Sequence, residues 1–117
     1  MAEPVKITNA EELEAAFRES ATRPVLLLKH STRCGASAAV HRDVRDFARG
    51  RADAEVLVAL LEIPAGRALA DEVAARTGVK HESPQVLVLR DGVVVWHASH
   101  WRITKDALDR ALSAAPS

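Results

Sequence analysis

The sequence predicts an α/β fold in which a mixed five-stranded sheet carries helices on both faces, in the order β-α-β-α-β-α-β-β-α. Three observations lead there. Apolar runs of strand length, Val25–His30 and Glu55–Ile63, alternate with segments of helical period. These runs lack the polar alternation of a half-exposed strand, which is the pattern of strands covered on both faces. Near the C-terminus the alternation gives way to two strand-like runs separated by Asp91-Gly92 alone, the residue pair that best fits a two-residue hairpin turn.

Each element has its own local cause. Val5–Ile7 reads as a short strand, and Thr8 with Glu11 three residues on has capping-box spacing for the helix that follows. Leu13, Ala16 and Phe17 share one face of that helix, which fades near Ser20. Pro24 opens the second strand. Ser31-Thr32 offers cap chemistry for a helix from about Cys34 to Arg49, ended by Gly50, with Ala38, Val44, Phe47 and Ala48 inward. Pro64 and Gly66 break the chain after the third strand. A helix over Arg67–Thr77 follows, with Leu69, Val73 and Ala74 apolar and Gly78 as its stop. The hairpin pairs Gln85–Arg90 with Val93–Ala98, and a last helix from Thr104 to about Ala114 buries Ala107, Leu108, Ala111 and Leu112. Right-handed crossovers make the first three strands parallel, and the hairpin adds two antiparallel neighbours. That combination is the thioredoxin architecture, which by itself assigns no activity.

Composition narrows the function classes. The chain has 117 residues, 48% of them apolar, so one domain over 1–117 with its own core is expected, and 114–117 reads as a fraying tail. Its 16 basic and 16 acidic residues cancel, whereas a nucleic-acid partner would call for a basic surface. The longest apolar stretch, Val25–Leu28, falls far short of the ~20 residues of a membrane helix. The acidic start Met1-Ala2-Glu3-Pro4 has no signal-peptide character. A single cysteine allows no internal disulfide. Together these point to the reducing cytoplasm.

Chemistry concentrates at Cys34. It follows a strand and a short polar loop and stands at the first turn of a helix, where unpaired N–H groups and the positive end of the dipole favour a thiolate. Arg33 adds positive potential beside it, while Lys29 and His30 lie further back on the strand. A cysteine without such a position is more often a small buried apolar residue. Pro84, after His81-Glu82-Ser83, opens the fourth strand, a place where proline is tolerated without special purpose. In a thioredoxin architecture the same place is a cis-proline loop beside the reactive cysteine, presenting the Ser83 backbone to an extended substrate. Trp96 is expected to turn into the core and Trp101 to cover a helix end. Five histidines lack metal-ligand spacing with the lone cysteine, so no metal site is expected.

Three separated motifs add a resemblance. Lys29-His30-Ser31-Thr32-Arg33-Cys34, then Thr77 through Gln85, then Ser99 through Thr104 are together similar to the YtxJ-type monothiol bacilliredoxins, over nearly the whole chain. The family's Thr-x-Cys-Pro-Ile-Ser motif maps onto Thr32 to Ser37, with Gly35 in place of Pro and Ala36 in place of Ile. Gly35 restores an N–H that proline lacks and loosens the turn. The resemblance implies that Cys34 is the reactive residue, supported by Thr32, Arg33, Gly35, Ser83 and Pro84. It implies removal of bacillithiol, a low-molecular-weight thiol co-substrate, from S-bacillithiolated proteins, with no bound cofactor, in a monomer or weak dimer. Two other readings share these residues. A one-cysteine thiol peroxidase would consume peroxide using Thr32 and Arg33, and an interaction module would keep its role when Cys34 is replaced by Ser.

Overall fold

The computed structural model describes residues 2–114, with the side chain of Ala114 left aside. The predicted tail therefore lies outside the described residues except for Ala114, which ends the last helix. The strands are β1 (Val5–Lys6), β2 (Val25–Ser31), β3 (Leu57–Ile63), β4 (Gln85–Arg90) and β5 (Val93–Ser99). The helices are α1 (Ala10–Glu19), α2 (Gly35–Arg49), α3 (Arg67–Thr77) and α4 (Lys105–Ala114), with a 3-10 turn over His100–Arg102 before α4.

The sheet order is β1-β3-β2-β4-β5. β3 is parallel to both β1 and β2, while β4 runs antiparallel to β2 and to β5. This is the mixed sheet that the sequence predicts. Alternation along the central strands separates two cores. Leu26, Leu28, Val58, Val86 and Val88 pack with Val44, Phe47 and Leu108 on the α2/α4 face. Leu27, Leu61, Leu87 and Leu89 pack with Leu13, Phe17 and Val73 on the α1/α3 face. The Asp91-Gly92 turn has positive φ at both residues (53° and 78°), as a two-residue hairpin needs, and its two N–H groups donate to the carbonyl and hydroxyl of Ser20.

Some local expectations shift. The α1 cap is Asn9, whose side chain accepts the Glu12 N–H at 2.8 Å. Glu12 in turn accepts the N–H and hydroxyl of Thr8, so the reciprocal pair sits one residue later than the predicted Thr8/Glu11 pair. β3 begins at Leu57 because Glu55 is held in a turn by its N–H to the Ala52 carbonyl. In α2, Ala38 is exposed, while Ser37 and Val40 are buried with Val44, Phe47 and Ala48. Positions 37, 40, 44, 47 and 48 form one stripe at helical spacing, and 38 lies about 100° away from 37 on the helix. Ala70 joins Val73 in the core, whereas Leu69 and Ala74 are half-buried, as is Ala107.

Leu87 is fully buried on the central antiparallel strand. Leu87→Ala should cost about 2–5 kcal/mol by removing buried methyls and leaving a cavity. Urea unfolding of the two proteins, compared at equal slope, measures it.

Candidate functional site

The site is built where β2 ends. Ser31, the last residue of β2, pairs with Ile63, and the Thr32 N–H and hydroxyl both donate to the Ile63 carbonyl, at 3.0 and 3.2 Å. The predicted cap pair Ser31-Thr32 is thus held by β3. The N-cap of α2 is Cys34 itself, with extended backbone and no side-chain cap bond. Its carbonyl accepts the Ala38 N–H. The N–H groups of Gly35, Ala36 and Ser37 form the open first turn, for which an N-cap side chain is the natural acceptor. Cys34 is exposed, as are its neighbours Arg33 and Gly35. Gly35 is the first helical residue, and a Cβ there would meet no atom within 4 Å. Nothing in the packing around it requires glycine.

Ser37 closes the loop. Its buried hydroxyl accepts the Ser31 N–H at 2.9 Å and lies 3.0 Å from Nδ1 of His30. One side chain therefore joins the end of β2 to the first turn of α2, with Cys34 in between. His41, one turn further along α2, lies 4.5 Å from His30 between ring centroids. Burial, then His30 and Arg45, hold His41 below the usual histidine range.

β2 and β4 bring the second half of the site to the same edge. Lys29 pairs with Gln85 across the antiparallel ladder, so Ser83-Pro84 lies beside the start of the Cys34 loop. The Ser83–Pro84 peptide bond is cis, as is Ile63–Pro64. Pro84 is buried and Ser83 half-buried. Pro84 lines an apolar groove with Ala36, Ala39 and Val40 of α2 and with Trp101 and Ile103. The Pro84 carbonyl accepts the N–H of His100, whose φ is 54°. The structure therefore brings Pro84 to the first turns of α2, although Cys34 itself is not a wall of that groove. Trp96 packs partly buried on the core, but Trp101 is 84% exposed and covers no helix end. The 3-10 turn that follows β5 directs it outward.

Comparison with known proteins places the chain in a family. The family model for the monothiol bacilliredoxin BrxC matches residues 5–108. The chain belongs to the monothiol bacilliredoxin family. Among solved structures, it is similar to a candidate oxidoreductase with a thioredoxin fold, at 30% identity over 92% of each chain and a TM-score of 0.83. A thioredoxin from Halobacterium salinarum aligns with a TM-score of 0.75 at 21% identity, covering 96% of this chain and 89% of its own. Spinach chloroplast thioredoxin F aligns at 0.76 and 20% identity, covering 99% and 96%. The last two show the thioredoxin fold alone, while the family makes the chain a thiol redox protein with one cysteine.

Two residues that the sequence places near Cys34 without a defined role also shape this end of the sheet. Ser37 is one, and its phase with Val40 and Val44 is the signal that finds it. Lys29 is another, being fully buried on the α1/α3 face, with Nζ 3.3 Å from Nδ1 of His81. Burial lowers Lys29 to about 8, against the opposing pull of Asp71, with smaller effects from Arg67 and Glu82. Burial, then Lys29 and Arg67, keep His81 below the usual histidine range.

Ser37→Ala orphans the Ser31 N–H and removes the His30 partner, so it should destabilise the domain by about 1–3 kcal/mol. Thermal unfolding checks this. Lys29 gives a pH signature. Below pH 8 the folded and unfolded chains both carry its proton, and the full burial penalty applies. Between about 8 and the ordinary lysine value of 10.5, the unfolded state binds more protons, so stability rises with pH. Urea midpoints at pH 7 and 9.5 should show this rise in the wild type and its loss in Lys29→Met.

Proposed function

We propose that this chain removes bacillithiol from S-bacillithiolated proteins by thiol–disulfide exchange at Cys34. The observation that carries the reading is the placement of the chain's one cysteine, exposed as the N-cap of α2 with a turn of free N–H groups behind it. Family membership and the single thiol support the choice of a monothiol route. In the first step the Cys34 thiolate attacks the bacillithiol sulfur of the mixed disulfide. A Cys34–bacillithiol bond forms, the old sulfur–sulfur bond breaks, and the protein cysteine leaves as a thiolate that takes a proton from solvent. A second low-molecular-weight thiol then reduces the adduct and leaves with the bacillithiol as their own disulfide. Thr32, Arg33 and Gly35 frame the thiolate, and Ser83-Pro84 offers a backbone edge to the incoming disulfide. The protein works as a monomer or weak dimer in the cytoplasm, on protein substrates and without a bound cofactor. Among the described residues, no helix is long and apolar enough to cross a membrane.

The test is transfer itself. Reduced protein mixed with a bacillithiol-modified substrate protein should gain the mass of one bacillithiol at Cys34 while the substrate thiol is freed. Turnover should require added low-molecular-weight thiol. Cys34→Ser should abolish transfer and leave the fold intact, because serine is a favoured N-cap residue. Transfer that persists in Cys34→Ser, or a wild-type protein that never gains the adduct, would overturn the reading.

A further inference from the structure

The segment facing the incoming disulfide has few constraints of its own. Between the end of α3 and the start of β4 the chain runs without helix or strand. Among the described residues, the stretch from Lys80 to Ser83 makes two hydrogen bonds. Gln85 Nε2 donates to the Lys80 carbonyl at 2.9 Å, and Lys29 Nζ lies 3.3 Å from Nδ1 of His81. Lys29 and Gln85 face each other across β2 and β4. One cross-strand pair therefore supplies both ties, and one of its members belongs to the strand that runs into the Cys34 loop.

Lys29 is a costly residue for that place. It is 0% exposed, the largest of the fully buried side chains, and shares with buried Gln85 a sheet face otherwise built from Leu27, Leu61 and Leu87. Asp71 and Arg67 on α3 and Glu82 in the loop act on it through space, and the hydrogen bond goes to a histidine, not to a carboxylate. An unpaired buried ammonium destabilises a fold, and an apolar side chain of similar length would not. A buried ammonium that costs stability and bonds the loop ahead of Ser83-Pro84 has a physical use there beyond packing.

We propose that Lys29 is a positioning residue for the exchange reaction, holding His81, and with it the Lys80–Ser83 backbone, where an incoming disulfide can lie along it. The proposal rests on the thiol-exchange reading of Cys34. At neutral pH, below its value of about 8, Lys29 is an ammonium that can only donate, so Nδ1 of His81 accepts and the neutral tautomer carries its proton on Nε2. Protonation of His81 breaks the tie and sets two cations against each other. Arg67 opposes that protonation, and Asp71 and Glu82 favour it. Burial and Lys29 prevail, holding His81 below its ordinary value and favouring the neutral ring that the tie needs.

The experiment separates positioning from stability. Lys29→Met should be at least as stable as wild type in urea at pH 7. Alkylation of Cys34 by iodoacetamide, which needs the thiolate but no loop, should stay within about twofold. Exchange with a bacillithiol-modified protein should fall by about tenfold in kcat/KM, mostly through KM, as expected for loss of one buried hydrogen bond to a charged donor. In the nitrogen NMR of the wild type, His81 should carry its proton on Nε2. Its titration midpoint should move up in Lys29→Met as the neighbouring charge is lost. His81→Leu, at a half-buried position, should reproduce the exchange defect even if Lys29→Met folds poorly, and the double variant should be no slower than either single one. Unchanged exchange in Lys29→Met, a parallel fall in alkylation and exchange, or an unmoved His81 titration would each overturn the proposal. If wild type fails to exchange at all, the functional reading of Cys34 fails. The His81 tautomer and its shift still report on the Lys29 tie in that case.

Discussion

The antiparallel pairing of β2 with β4 governs the reactive end of this molecule. β2 is also paired in parallel with β3 along its whole length, so its direction and register are fixed from both sides. With Val25 opposite Leu89 and Lys29 opposite Gln85, the last residues of β2 and the first of β4 fall at the same edge of the sheet. The Cys34 loop and the Ser83-Pro84 segment, about fifty residues apart in sequence, are thereby brought to one end of the sheet. A slip of one residue would turn Leu26, Leu28, Val86 and Val88 out of the α2/α4 core and separate the two halves of the site, so hydrophobic patterning fixes the chemical geometry.

At that edge the chain uses hydroxyls to hold backbone and leaves the thiol uncommitted. Thr32 is fastened to the Ile63 carbonyl, and Ser37 joins Ser31 and His30. Cys34 takes the cap position between them, where a serine or aspartate would ordinarily close the helix start. The sulfur is a weaker cap than oxygen, so the first turn keeps its N–H groups available to an anion. Stability is given up locally at Cys34 and recovered by the two hydroxyl anchors on either side.

The sequence was most legible where structure has local causes. Asp91-Gly92 specifies its own turn, and α3 runs from Arg67 to Thr77 as its breakers indicate. It was less legible where long-range pairing competes with local signals. Ser31-Thr32 has cap chemistry, yet β3 captures both residues through Ile63, and the cap passes to Cys34. Ser37 looked less core-like than Ala38 because its partners, Ser31 and His30, are supplied by the preceding strand. Lys29 read as a remote charge at a strand end because its partner lies 52 residues away. Trp101 read as a cover because large apolar residues usually are, and the 3-10 turn that exposes it has no clear local signature.

The same geometry bears on which oxidised substrate suits the thiol. Peroxide reduction needs donors aimed at the oxygen that leaves, and Thr32 is the hydroxyl nearest to Cys34 in sequence. Its single proton already goes to the Ile63 carbonyl, on the β3 side of the loop, so it is not free to serve a leaving oxygen. A disulfide asks for less at the sulfur and more beside it. The leaving thiol stabilises its own charge, and recognition falls to backbone and surface next to the attacked bond. This site offers an exposed thiol, a cis Ser83–Pro84 bond at the same end of the sheet, and an apolar groove along α2 bounded by Trp101. Those features favour a mixed disulfide over a peroxide as the partner of Cys34.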